Sequence, residues 1–156
     1  MINKTSRKLN TVTGISAMLS LVFIAVVCAV CITAPQPASD PNSSNGLSYA
    51  IILVFLFIPT AVGAGIFSAV TSALGICVLA KLSKGFAPKG VYISIAVFEL
   101  LTTTLLLIGN IPMAVTVPAY SVNCVIGAVI LASAIITCIT AAAQKKAQNT
   151  ANEVAE

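Results

Sequence analysis

Between Lys8 and Lys81 the chain carries a single charged side chain, Asp40, and between Lys89 and Lys145 only Glu99. A water-soluble domain clothes itself with charge, about a quarter of its residues. Here 8% of 156 residues are charged and 58% are hydrophobic. That balance excludes a soluble globular domain, a disordered chain and a nucleic-acid binder. The sequence has no His, which also removes any enzyme that needs histidine as a base or a metal ligand. What fits is one integral membrane domain over residues 1–156.

A bilayer core of about 30 Å takes about 20 helical residues to cross. Four apolar stretches are long enough: about 11–34, 57–80 within an apolar run that begins at 47, 91–109, and 119–143. Pro35 and Pro37 end the first; Asn110, Pro112 and Pro118 are expected to close the third; Lys145 and Lys146 close the fourth. Period-two alternation is absent, so a β-barrel is not indicated. The expectation is an all-α, polytopic protein with four transmembrane helices in a compact bundle. The run from 47 to 80 is too short for two crossings, which need about 40 residues plus a turn. One long crossing, kinked where Pro59 meets the carbonyl of Phe55, is the favoured reading. A separate interfacial segment over 47–58 is its competitor.

Orientation follows from the basic residues. Lys4, Arg7 and Lys8 precede the first span, Lys81, Lys84 and Lys89 lie between the second and third, and Lys145 and Lys146 follow the fourth. Four crossings put all of them on one side, so both termini are expected to be cytoplasmic, with 35–48 and 110–118 outside. A bacterial cytoplasmic membrane is the assumed setting. Tyr92 and Tyr120, at span starts, are expected at headgroup level. The apolar stretch after Lys8 exceeds a signal-peptide core, which argues for a retained first helix.

Glu99 is the one ionisable carboxylate or amine within a span. An acid at that depth costs a few kcal/mol and normally faces the bundle or a cavity. Thr102 and Thr103 follow on the same helix face. Ser68, Thr71 and Ser72 of the second span, and Ser133 of the fourth, fall at a similar depth. Two roles follow: a proton-coupled binding or transport residue, or a neutral clamp between helices, the clamp being favoured. The second span also carries small residues four apart, with Gly65, Ala69 and Ala73 at its centre and Ala64, Ser68 and Ser72 alongside. Small side chains let helix backbones approach, within a bundle or between copies.

Five cysteines complete the inventory. Cys28 and Cys31 form a C-x-x-C near the outer end of the first span, and Cys124 lies near the outer start of the fourth. This arrangement resembles, in topology alone, the four-helix membrane thiol oxidases, which pass electrons from outer-face cysteines to quinone. No outer cation is present to lower a thiol pKa, so plain apolar cysteines are the favoured reading. No metal site and no cofactor motif is indicated. Lys81, Lys84 and Lys89 suit contact with anionic lipid headgroups. The expected partners are the bilayer and other membrane proteins or further copies of the chain. The leading expectation is an accessory, assembly or interaction subunit of a membrane complex. An oligomeric proton- or cation-coupled transporter using Glu99 comes next, and a thiol oxidase using Cys28 and Cys31 third.

Overall fold

The computed structural model describes residues 4–34, 50–81 and 87–153. Four helices dominate: α1 (Lys4–Thr33), α2 (Ile58–Ala80), α3 (Lys89–Thr116) and α4 (Ser121–Glu153). Four segments among the described residues are long and apolar enough to cross a membrane: Arg7–Thr33, Ala50–Ala80, Lys89–Val115 and Pro118–Gln144. Small size, four such helices and so little charge identify an integral membrane protein.

What each helix buries repeats every seven residues. The buried series are Asn10, Ala17 and Ile24 on α1; Ala64, Thr71 and Val78 on α2; Tyr92, Glu99, Leu106 and Met113 on α3; and Asn123, Ile130, Thr137 and Gln144 on α4. A seven-residue period keeps one seam turned towards the neighbours only if the helices coil about each other with a left hand. The helices pack in ring order, α1 on α2, α2 on α3, α3 on α4 and α4 back on α1, the last seam being the loosest. Contacts between α1 and α3 across the diagonal are few. Successive helices are antiparallel: Ser20 meets Ser68 where Ala17 meets Gly75, and Asn110 meets Asn123 where Glu99 meets Ser133.

The interior is more polar than the exterior. Ser, Thr, Asn and Gln side chains face inward, while Val22, Val62, Ile66, Val125 and Ile135 are exposed. That inversion suits hydrocarbon, where helices gain nothing by hiding Leu from lipid and associate through packing and hydrogen bonds. Apolar layers separate the polar ones. The middle layer holds Ile24, Val27, Ala64, Leu106, Ile126 and Ile130. Phe57, Met113 and Tyr120 lie in the layer at one end, and Ala17, Val78, Tyr92 and Ile95 in the layer at the other. Exposed Arg7, Lys8, Lys81 and Lys89 mark this second end, called here the basic end.

Two sequence expectations change, and one open alternative closes in favour of a single long second crossing. The third helix does not stop at Gly109 but runs through Asn110 and Pro112 to Thr116. Asn110 points inward, where its Nδ2 donates to the Leu106 carbonyl at 2.8 Å and its Oδ1 accepts from Asn123 Nδ2 at 2.7 Å. An asparagine so satisfied has no need of water and does not end a span. Secondly, Pro59 follows a π-helical turn at Leu53–Phe57 within one helix continuous from Ala50. The wider turn accommodates the missing backbone donor, so residues 50–58 form no separate segment; 47–49 lie outside the described residues. Thirdly, Tyr92 and Tyr120 are buried in the bundle, not set in a lipid-facing belt. Tyr120 meets Phe57 edge to face at 5.5 Å, while the Tyr92 hydroxyl donates to Asn10 Oδ1 at 2.7 Å and accepts from the Ala87 amide at 3.3 Å. Tyr92→Phe should therefore destabilise the bundle by about 1 kcal/mol, measured by denaturation in mixed micelles.

The close approach of α1 and α2 is made by glycine. A Cβ on Gly75 would lie 2.8 Å from the Ala17 Cβ and 2.9 Å from the Gly14 carbonyl. Across the same seam the Ser72 hydroxyl donates to the Ala17 carbonyl at 3.1 Å, and Ser20 reaches the Ser68 carbonyl at 3.4 Å.

Candidate functional site

Glu99 is completely enclosed. The seven-residue seam of α3 turns it towards α4, where residues four apart on one face meet it together. Ser133 Oγ donates to Glu99 Oε1 at 2.6 Å. The Thr137 hydroxyl lies 3.4 Å from Glu99 Oε2 and 3.1 Å from the Ser133 carbonyl.

A hydroxyl carries one proton and two lone pairs, so this triad offers the carboxyl group hydrogen-bond partners in either charge state. With Glu99 ionised, Ser133 and Thr137 both donate to it. With Glu99 neutral, Ser133 still donates to Oε1, the acid proton on Oε2 passes to Thr137 Oγ1, and Thr137 donates to the Ser133 carbonyl. Changing state requires one hydroxyl rotation and no movement of the backbone.

Glu99 also contributes to the wall of a cavity of about 210 Å³ between α1 and α4. Ser16, Leu19, Ser20 and Phe23 line it from α1, and Val129, Ala132, Ser133 and Ile136 are among the residues lining it from α4. Leu19, Val129 and Ala132 are exposed, so the mouth lies on the lipid-facing side of the loosest seam.

The surroundings of Glu99 are asymmetric along the bundle. Towards the basic end polar pairs accompany the apolar layer of Ala17, Val78 and Ile95: the Thr13 and Thr140 hydroxyls are 3.0 Å apart, Asn10 pairs with Tyr92, and Gln144 Nε2 donates to the Ala87 carbonyl at 2.9 Å. Gln144 Oε1 is buried with no hydrogen-bond partner among the described residues, a place suited to a bridging water. Towards the other end, the apolar layer of Ile24, Val27, Leu106, Ile126 and Ile130 separates Glu99 from the Asn110–Asn123 pair.

Of the residues expected around Glu99, Ser133 is in place and none of the others is hydrogen-bonded to it. Thr102 donates to the Phe98 carbonyl at 2.8 Å and Thr103 to the Gly127 carbonyl at 3.3 Å. Thr71 donates to the Phe67 carbonyl at 2.9 Å. Ser72 serves the α1–α2 seam, and the buried Ser68 hydroxyl has no partner among the described residues. The chain supplies Thr137 instead, together with Ser16 and Ser20 beside the cavity. Thr137 follows Ser133 by four residues, a spacing visible in the sequence; the cavity has no such signal.

The small-residue face is displaced by one position. Ala64, Ser68, Ser72 and Gly75 are buried, whereas Gly65 is half-buried and Ala69 and Ala73 are exposed. Within one copy the stripe named from the sequence is therefore not the packed one. The reason is the period: a four-residue stripe drifts off the seven-residue seam, which holds 64, 68, 71, 75 and 78. All five cysteines are free; Cys28 is exposed, and Cys31 and Cys124 are half-buried. Lys84 lies outside the described residues.

The chain matches no protein-family model, no curated protein and no solved structure. Geometry must carry the functional reading.

Proposed function

We propose that this small membrane protein is a proton- or cation-coupled carrier whose exchanging group is Glu99. The supporting observation is the carboxyl group that keeps hydrogen-bond partners in both charge states, set in the wall of a cavity. A purely structural clamp needs the hydrogen bonds but has no use for the space. Four helices enclose little volume, so the working unit is an oligomer. The exposed stripe of Gly65, Ala69 and Ala73 on α2 suits contact between copies. It equally suits contact with a different membrane protein, the observation that favours the second reading, an accessory or assembly subunit.

At a single carboxylate a proton and a cation compete. Cation binding must release a proton, and the apparent cation affinity must fall as pH falls. In proteoliposomes holding a pH-sensitive dye, a cation gradient should drive a proton flux in the opposite direction, absent from Glu99→Gln. Equal flux in wild type and variant would remove the carrier reading and leave the assembly reading.

The basic end belongs at the cytoplasmic face, with both termini there, by the same charge asymmetry that the helices gather at one end. Arg7 and Lys8 border a surface hollow of about 530 Å³ at that end, suited, like Lys81 and Lys89, to anionic headgroups. Single cysteines at Ser43 and Ser83, in a cysteine-free background, test the orientation with an impermeant maleimide on intact cells. Labelling at Ser43 alone is the expected result; labelling at Ser83 alone would reverse the orientation.

A further inference from the structure

We propose that the cavity beside Glu99 and the hollow at the basic end are the two ends of one lipid site. Its occupant is an anionic phospholipid, with the phosphate on Arg7 and Lys8, one acyl chain along α1, and the end of that chain in the cavity. The inference rests on reading the hollow as a headgroup site. It goes beyond the carrier reading and needs no proton exchange at Glu99.

The cavity fixes what can enter it. Leu19, Val129 and Ala132 are exposed at its mouth, on the α1–α4 seam, the loosest of the ring. Phe23, Ile130 and Ile136 are among its walls, and both oxygens of Glu99 are engaged by Ser133 and Thr137. The hydroxyls of the α1 wall are engaged too: Ser16 donates to the Thr13 carbonyl at 3.1 Å and Ser20 to the Ala17 carbonyl at 2.7 Å. A space so lined offers little to an ion or a water and matches hydrocarbon. Residues 16–23 lie at the middle of the Arg7–Thr33 span, the depth at which acyl chains end. The volume of about 210 Å³ equals about seven water volumes of ~30 Å³, room for a short terminal stretch of one chain. Hydrocarbon there supplies the contacts that an empty space would forfeit.

The hollow fixes the headgroup. Arg7, Lys8, Thr11 and Val12 border its volume of about 530 Å³, and both cations are exposed. A guanidinium forks onto two phosphate oxygens, and an ammonium adds a point charge beside it. No acidic residue lies on α1 to compete for either. A zwitterionic headgroup would bring a cation of its own next to these two, so a net negative lipid is preferred.

Spacing joins the two ends. Val12 borders the hollow and Leu19 the cavity. Seven residues apart, they share one face of a helix that follows the seven-residue period of this bundle. Both are exposed, so the path between them runs along lipid-facing surface. From Lys8 to Ser20 the helix rises about 18 Å. That lies between the ~15 Å of one hydrocarbon leaflet and the ~20 Å that includes its headgroups. One chain spans it.

The test uses phosphatidylglycerol with a diazirine near the end of one acyl chain, at low fraction in phosphatidylcholine vesicles holding the protein. The matching phosphatidylcholine probe is the neutral control, and mass spectrometry maps the labelled residues. The chain-end label should concentrate on residues 19–23 and 129–136 and be displaced by unlabelled phosphatidylglycerol. It should be at least about tenfold weaker with the neutral probe, and in the double variant Arg7→Gln, Lys8→Gln. Ala132→Phe, which fills the mouth from an exposed position, should move the chain-end label out of the cavity. A diazirine placed close to the glycerol should still label residues 7–12 of that variant. Equal labelling of the cavity by both lipids would overturn the proposal, and the headgroup role of the hollow with it. Chain-end label spread evenly over exposed residues such as Val62 and Ile66 of α2 would overturn it in favour of an ordinary lipid coat. Absence of label from either lipid would make a second copy of the chain the occupant. None of these results touches the carrier reading, which the flux of Glu99→Gln decides on its own, because that variant keeps both ends of the lipid site.

Discussion

Glu99→Gln is expected to fold and to lose all proton-coupled flux. The amide keeps the shape of the neutral acid and its partners: its Oε1 accepts from Ser133, and one Nε2 hydrogen goes to Thr137 Oγ1, which still donates to the Ser133 carbonyl, while its second Nε2 hydrogen has no counterpart in the acid. Stability should therefore fall by no more than about 1 kcal/mol, read by denaturation in mixed micelles. What disappears is the proton that can leave. Glu99→Leu differs in kind, because it removes the acceptor of Ser133. Serine and threonine can fall back on their own helix carbonyls, as Thr137 already does at 3.1 Å, so the loss should be only about 0.5–2 kcal/mol. A clamp predicts that the two variants differ in stability alone. A carrier predicts that both are inactive while the amide stays close to wild type in stability.

Gly75→Leu should be severely damaging to the bundle. Even the Cβ of an alanine there would sit 2.8 Å from Ala17 Cβ and 2.9 Å from the Gly14 carbonyl. The second of these is backbone and cannot rotate away. Helix propensity favours any replacement of glycine by about 1 kcal/mol, but forcing two helices apart costs about 1–3 kcal/mol and more for a long side chain. Separation of α1 from α2 would also break the Ser72 bond to the Ala17 carbonyl. A loss of about 3 kcal/mol, or failure to fold, is the expected outcome. Ala69→Leu, on the exposed side of the same helix, should leave the bundle as stable as wild type and act only on association between chains. Analytical ultracentrifugation in detergent separates the two effects. If Ala69→Leu unfolds the chain and Gly75→Leu does not, the seam has been placed on the wrong face.

The number of helices was legible because the membrane imposes one strong rule, about 20 apolar residues per crossing. Helix ends were less legible. Asn110 and Pro112 are stop signals in water, yet in this bundle Asn110 finds Asn123 and the helix passes through. Nothing near Asn110 in sequence announces that partner on α4. The same limit governed the site. Burial of Glu99 followed from its cost in lipid, and Ser133 followed from depth. Depth alone could not choose among Ser68, Ser72 and Ser133, because that choice depends on which helices are neighbours in the ring. Glu99 on α3 faces α4, while Ser72 on α2 faces α1. The small-residue stripe left the packed seam of one copy for a related reason: a period of four and a period of seven coincide over one turn and part over three. A cavity, finally, is space left between side chains of α1 and α4, and no local pattern encodes it.

Infrared difference spectroscopy of the reconstituted protein tests the central claim most directly, with Glu99→Gln as the blank that identifies the band. The account predicts a protonated-carboxyl band at low pH that gives way to a carboxylate band as pH rises through the range the two membrane faces experience. Both bands should be absent from Glu99→Gln. A carboxyl band that persists unchanged across that whole range would contradict it, and would make Glu99 a permanent clamp between α3 and α4.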